Sequence, residues 1–211
     1  AFLIVDNRLL NSDIFIPSDK LNGAKNGDKA IVKIIEWSER DRNPVGEVID
    51  VLGATGDNDA EMHAILVEFG LPYSYPSHIE SLANDIPENI PEEEISKRID
   101  CRDIHTFTID QADAKDFDDA LSIRKIGDDL WEVGVHIADV TYYVKQGDTI
   151  DEEAFKRATS VYLVDRTIPM LPERLSNELC SLRPNEEKLC FSAVFVVDEK
   201  LKIISEWFGL F

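Results

Sequence analysis

Apolar and polar positions alternate in short runs over the first fifty-odd residues. FLIV (2–5), DIFI (13–16), KAIVKIIE (29–36) and VGEVIDVL (45–52) read as strands. Asn7, the Asn22-Gly23 and Asn26-Gly27 pairs and Asn43-Pro44 punctuate them. Four strands with such turns predict a small OB-type β-barrel. Barrels of this kind have five strands, so a further strand is expected upstream. Beyond residue 56 the period lengthens. Met62, Ile65, Leu66 and Phe69 follow the i, i+3, i+4, i+7 rule of an amphipathic helix, with Asp57 or Asp59 as N-cap and Gly70 at its end. A second helix is expected from Ser77 to Asn84. A third starts at Pro91, whose followers Glu92, Glu93 and Glu94 suit a positive helix start. Strands are predicted at 104–109, 119–126 and 131–138, and a helix from Asp151 to Tyr162. A short helix at 173–179 and a hairpin of 190–197 with 201–208, turning at Asp198-Glu199-Lys200, complete the pattern. The fold class is therefore α+β: a barrel over 1–55, a helical connector over 56–100 and a mixed α/β part over 101–211.

Within these elements, Trp131 alternates with Val133, Val135 and Ile137 and reads as core. His136 sits in the same apolar strand and reads as a satisfied core residue. His63, His78 and His105 are scattered, without metal-ligand spacing. Phe2 and Phe15 can stack bases from the barrel surface, and core packing fits them equally well. Arg166 and Arg183 suit either phosphate contacts or surface ion pairs.

The 211 residues are 44% hydrophobic, enough for a buried core. No run of eighteen apolar residues predicts a membrane span. The opening apolar run is broken by Asp6, Asn7 and Arg8 and lacks a basic leader, which argues against a signal peptide. Cys101, Cys180 and Cys190 have no metal spacing and read as reduced thiols of a cytoplasmic protein. The formal net charge of −20 is unusual for a nucleic-acid binder. It is uneven: 1–56 carry a net −2, 57–109 a net −9 and 110–211 a net −9. The acidic connector reads as a solvated face, whereas metal ions would offset part of the last excess.

That last excess centres on TIDQADAKDFDDAL. Asp110 follows the apolar run HTFTI, and Asp119 opens ALSIRKI, so the loop turns Asp116, Asp118 and Asp119 back towards Asp110. Clustered carboxylates repel unless a cation lies between them. Mg²⁺ prefers a few carboxylates, water and phosphate oxygens. An EF-hand starting at Asp116 fails, because Leu121 and Gly127 stand where Gly and Glu are required. Helix capping by Asp118 or Asp119 explains one residue and not four. Residue chemistry alone leaves a solvated acidic turn and a catalytic metal centre both open.

The segment resembles the catalytic motif of the ribonuclease II / ribonuclease R family. Asp-x5-Asp-x-Asp-Asp is matched by Asp110, Asp116, Asp118 and Asp119, and DQADAKDFDDAL is most similar to the bacterial ribonuclease R branch. RIDCRDIHTFTID (98–110), VHIADVTYYV (135–144) and TSVYLVDRTIPMLPERLSNELCSLRPN (159–185) resemble that branch too, and 2–53 resemble its second cold-shock domain. The resemblance implies the first part of a catalytic domain over 101–211, and a Mg²⁺-dependent 3′→5′ exoribonuclease acting on single-stranded RNA by a two-metal mechanism. Asp110 and Asp119 would be direct metal ligands, Asp116 and Asp118 would complete the shell or position water, and Asp113 would be an exposed loop residue. Tyr162 matches the family tyrosine that stacks on the 3′-terminal nucleotide, although its place near the end of the predicted helix also fits a packing role. The resemblance further implies that the native chain continues past Phe211 and that these 211 residues alone are inactive. The rivals are a catalytically dead RNA-binding or regulatory relative, and a metal-binding module with no RNA role. The sequence leaves the oligomeric state open.

Overall fold

The computed structural model describes residues 1–6, 12–38 and 42–211, and the turn expected at Asn7 lies outside them. Two compact units are formed, Ala1–Tyr73 and Ser74–Phe211. In the first, β1 (Phe2–Leu3), β2 (Ile14–Phe15), β3 (Asp28–Glu36) and β4 (Val45–Ala54) make one sheet in the order β1-β2-β4-β3. β3 and β4 run antiparallel, and β2 meets β4 in parallel at Phe15 and Val45. Ile14, Ile16 and Val48 fill the inner face. Gly46 makes that packing possible, because a Cβ there would lie 2.5 Å from Val32 and 2.7 Å from Ile14.

α1 (Asn58–Glu68) follows, capped by Asp57, whose carboxylate accepts from the N–H groups of Asp59 and Ala60. Gly70, at φ 69°, ends it as expected. Its buried face differs from the predicted stripe. Ala60 and Leu66 are buried, whereas Ile65 is 41% and Phe69 73% exposed. The cause is the close approach of Ala60 to Gly53 of β4, where a Cβ would lie 3.1 Å away. The smallest residues set the helix rotation, and the larger ones turn outward.

In the second unit, α2 (Ser77–Asn84) and α3 (Glu92–Ile95) precede a sheet of β5 (Thr106–Phe107), β6 (Asp119–Lys125), β7 (Leu130–Ala138), β10 (Cys190–Asp198) and β11 (Ile203–Leu210). Between β7 and β10 lie α4 (Val140–Tyr143), α5 (Thr149–Arg157), a hairpin of β8 (Val161–Tyr162) and β9 (Thr167–Ile168), and a π-helical turn at Arg174–Leu179. The sheet order is β11-β10-β7-β6-β5, with every neighbouring pair antiparallel. Ile150 and Ala154 of α5, Ala83 of α2, and Leu175 and Leu179 pack into one core. Among the described residues no helix is long and apolar enough to cross a membrane. Cys101, Cys180 and Cys190 are free thiols, and burial pushes the last two up to about 12.

Three expectations change here. Trp131 is 37% exposed, not core, as is Ile137 of the same strand face at 48%. The inward parity of β7 belongs to Gly134, His136 and Ala138. His136 claims it because its ring is satisfied there, 2.8 Å from the hydroxyls of both Ser122 on β6 and Ser192 on β10. Next, α5 ends at Arg157, not Tyr162. Arg157 turns inward over the Tyr75 ring, 3.5 Å from its centroid, and donates to the Ser74 carbonyl at 2.6 Å. Ala158 then takes a left-handed φ of 64°, which stops the helix. Finally, the strand expected at 104–109 pairs only at Thr106 and Phe107, and Ile109 is 80% exposed.

Gly134 is the spacer of the buried His136 network. A Cβ there would sit 2.5 Å from the Ser122 hydroxyl and 2.6 Å from His136 Nε2. Gly134→Ala is expected to lower the free energy of urea unfolding by about 1–3 kcal/mol. Gly127→Ala, where the nearest atom would be 3.6 Å away, should stay within about 0.5 kcal/mol.

Candidate active site

The acidic loop runs from the end of β5 to the start of β6. Asp119 is the first residue of β6, paired with Ile137 of β7. Asp110 lies three residues past the last paired residue of β5, in exposed chain outside any strand. Between them the backbone is gripped from two sides. The hydroxyl of Ser181, a fully buried residue, donates to the Lys115 carbonyl at 2.7 Å and accepts the Phe117 N–H at 3.1 Å. The Phe117 carbonyl accepts from Leu182 N–H at 2.9 Å, and the Asp118 carbonyl from Ala138 N–H at 3.0 Å. Asp116 and Asp118 therefore flank a tethered Phe117.

The electrostatics follow from this arrangement. Partial desolvation raises the pKa of Asp118, and the charges of Asp116, Asp119 and Asp110 raise it further. Three carboxylates thus act on Asp118, and no basic group is among the influences on it. Tyr162 reaches the same loop from β8: its hydroxyl donates to Asp116 Oδ2 at 2.8 Å. That bond, and then some burial, lifts the Tyr162 phenol above its usual range. The ring itself is 67% exposed, so it is not a packing residue. It stands on a hairpin closed by Leu163 N–H to the Arg166 carbonyl. Asp113 is exposed.

Phe15, on the first unit, is 39% exposed and pairs across strands with the more exposed Phe2, their ring centroids 5.3 Å apart. Arg183 pairs with Glu186 at 3.1 Å and Arg166 with Asp165 at 2.9 Å. Ser181 carried no signal in the sequence; a serine in a leucine-rich stretch gives no hint that it holds a loop more than sixty residues away.

The donor set fits a hard divalent cation in chemistry and in charge: oxygen ligands only, from four aspartates of one loop. Among the described residues no three His, Cys, Asp or Glu side chains converge closely enough to enclose an ion. Any ion held here would take the balance of its shell from water and substrate oxygens, as Mg²⁺ commonly does.

The RNB domain model matches residues 98–210, and the cold shock domain model matches residues 2–76. The chain belongs to the RNB family. Among RNB relatives, ribonuclease R of Thermotoga maritima is 38% identical over 206 residues, 97% of this chain and 29% of the relative. DIS3-like exonuclease 2 of Xenopus tropicalis is 45% identical over 181 residues, 85% of this chain and 22% of the relative. The chain thus spans under a third of the length of these relatives. Among solved structures, Mycoplasma genitalium RNase R in complex with double-stranded RNA superposes with a TM-score of 0.86 at 27% identity, covering 99% of this chain and 38% of that one. Yeast Ssd1, described as a pseudonuclease, shares the fold at a TM-score of 0.67 and 23% identity.

Removing the Ser181 hydroxyl strands the Phe117 N–H and the Lys115 carbonyl. Ser181→Ala is expected to cost about 1–3 kcal/mol in urea unfolding and to speed hydrogen exchange at the Phe117 amide. An unchanged exchange rate would show that the loop keeps its shape without Ser181.

Proposed function

We propose that this chain carries the cold-shock module and the first part of the catalytic domain of a cytoplasmic, Mg²⁺-dependent 3′→5′ exoribonuclease. Its substrate is single-stranded RNA, released as nucleoside 5′-monophosphates. The observation that carries the reading is the acidic loop itself. Asp110, Asp116 and Asp119 all lie within electrostatic reach of Asp118, on a backbone tethered at Lys115, Phe117 and Asp118. The names of the relatives, ribonuclease R and DIS3-like exonuclease 2, agree with it.

In this reading Asp110 and Asp119 hold divalent metal directly, and Asp116 and Asp118 complete the shell or orient water. Bound metal would supply an activated water and stabilise the leaving 3′ oxygen. The chain's own residues then have separate tasks. The carboxylates supply the negative charge and the oxygen donors that a divalent cation requires. Tyr162 offers an exposed ring to the terminal base, and Phe15 with Phe2 offers a second stacking surface on the cold-shock unit. The free thiols suit a reducing compartment.

The competing reading is an RNA-binding relative without activity, and the likeness to a protein described as a pseudonuclease keeps it in view. Fold alone does not separate the two; the four aspartates favour the active enzyme.

In the full-length protein, Asp118→Asn should reduce hydrolysis of a single-stranded oligonucleotide by on the order of 10³-fold with RNA binding largely intact. Hydrolysis at the parental rate would exclude the role given to the carboxylate. Tyr162→Ala should weaken very short oligonucleotides by about 1–3 kcal/mol and leave longer end products on a gel, while long substrates are still degraded. Because the ring is exposed, the melting temperature should barely move. An unaltered end product would remove Tyr162 from the RNA path.

A further inference from the structure

Tyr162 makes one contact that base stacking does not require. Its ring is exposed, yet its hydroxyl reaches across 46 residues of sequence to Asp116 Oδ2. A stacking platform needs only the ring, and phenylalanine would serve as well. The hydroxyl therefore has a task of its own or none.

The geometry around Asp116 gives it one. The backbone is fixed on both sides of this residue, by Ser181 at Lys115 and Phe117 and by Leu182 at Phe117. The carboxylate is not fixed by those bonds. Among the described residues only the Tyr162 hydroxyl hydrogen-bonds to it. Rotation about its two side-chain torsions would otherwise let it swing away from Asp118 and Asp119, as like-charge repulsion favours. A donor on Oδ2 stops that rotation and leaves Oδ1 free. This is the same relation by which a neighbouring hydrogen bond orients a carboxylate that ligates a metal. The hairpin that carries Tyr162 is itself held, since the Ser160 hydroxyl accepts the Met170 N–H at 2.9 Å and β8 pairs with β9 on both residues.

We propose that Tyr162 is a positioning residue for Asp116: its hydroxyl fixes the carboxylate with one oxygen turned towards a divalent cation, while its ring serves the terminal base. The proposal rests on the metal role given above to the acidic loop. It gives the hydroxyl and the ring different consequences, which two substitutions separate. Tyr162→Phe keeps the ring and loses the donor; Tyr162→Ala loses both.

The experiment titrates RNA-free, full-length protein with Mg²⁺ in a calorimeter and compares the parent with Tyr162→Phe, Tyr162→Ala and Asp116→Asn. End-product length on a single-stranded oligonucleotide is read at saturating Mg²⁺, and melting temperature is read without metal. Tyr162→Phe is expected to weaken Mg²⁺ about tenfold, with the parental end product and melting temperature. Tyr162→Ala should weaken Mg²⁺ equally and lengthen the end product as well. Parental Mg²⁺ affinity in Tyr162→Phe, alongside a loss in Asp116→Asn, would overturn the positioning role and leave the metal centre standing. Parental affinity in Asp116→Asn as well would overturn the metal role on which the proposal rests. A longer end product in Tyr162→Phe, with Mg²⁺ affinity unchanged, would assign the hydroxyl to RNA instead of Asp116.

Discussion

The hydroxyl of Ser181 is the contact on which the acidic loop depends. Two unit charges on the order of 6 Å apart repel by about 1–3 kcal/mol at the dielectric of a protein surface or of water. Four carboxylates in one loop would therefore drive it open if the backbone were free. Ser181 answers that force with one donated and one accepted hydrogen bond, and the carbonyls of Phe117 and Asp118 are taken up by Leu182 and Ala138. The loop is thus braced from the ends of β7 and of the π-helical turn. In this loop, charge is concentrated where the main chain is held.

What the sequence showed, and what it hid, follow from the range of the forces concerned. Strands β3, β4, β6, β7, β10 and β11 are long alternating runs, and their limits agree with the pattern to within two residues. The acidic loop was legible because five aspartates in ten positions need an explanation. The exposed side of β7 was misjudged at Trp131, because alternation defines two faces without saying which is inward. The choice fell to His136 and its two serine partners, from strands up to 56 residues away. The end of α5 was misplaced for a related reason: the stop comes from Arg157 meeting Tyr75, a contact that no helical period contains. Ser181 and the Tyr162 hydroxyl were invisible as site components, since both act on residues distant in the chain.

The balance of charge also gains a spatial meaning. Arg98 is held by Glu94 and Asp139, Arg102 by Asp100 and Glu187, Arg157 by Glu153, and Lys188 by Glu186. Arg98 and Arg102 join segments distant in the chain, whereas Arg157 and Lys188 pair locally. The Arg98–Asp139 pair, with each side chain only 5% exposed, ties the α3 segment to the end of β7 beside the Ala138 N–H that anchors Asp118. Cations held in this way are poorly placed to meet phosphates, and the carboxylates they hold are masked with them.

The imidazole of His136 makes the sheet sensitive to acid in a particular direction. Burial holds its pKa below the usual histidine value, so the folded sheet keeps the ring neutral where the unfolded chain would already bind a proton. As pH falls through the ordinary histidine range near 6.5, the unfolded state therefore takes up more protons, and unfolding becomes easier. The loss continues until the pH passes the folded value, where both states are charged. Above the ordinary range the ring contributes its full share and adds no pH dependence. A neutral ring with two hydroxyl neighbours must donate to one and accept from the other, so the three strands it joins share a single, directional chain of hydrogen bonds whose sense is set by one proton.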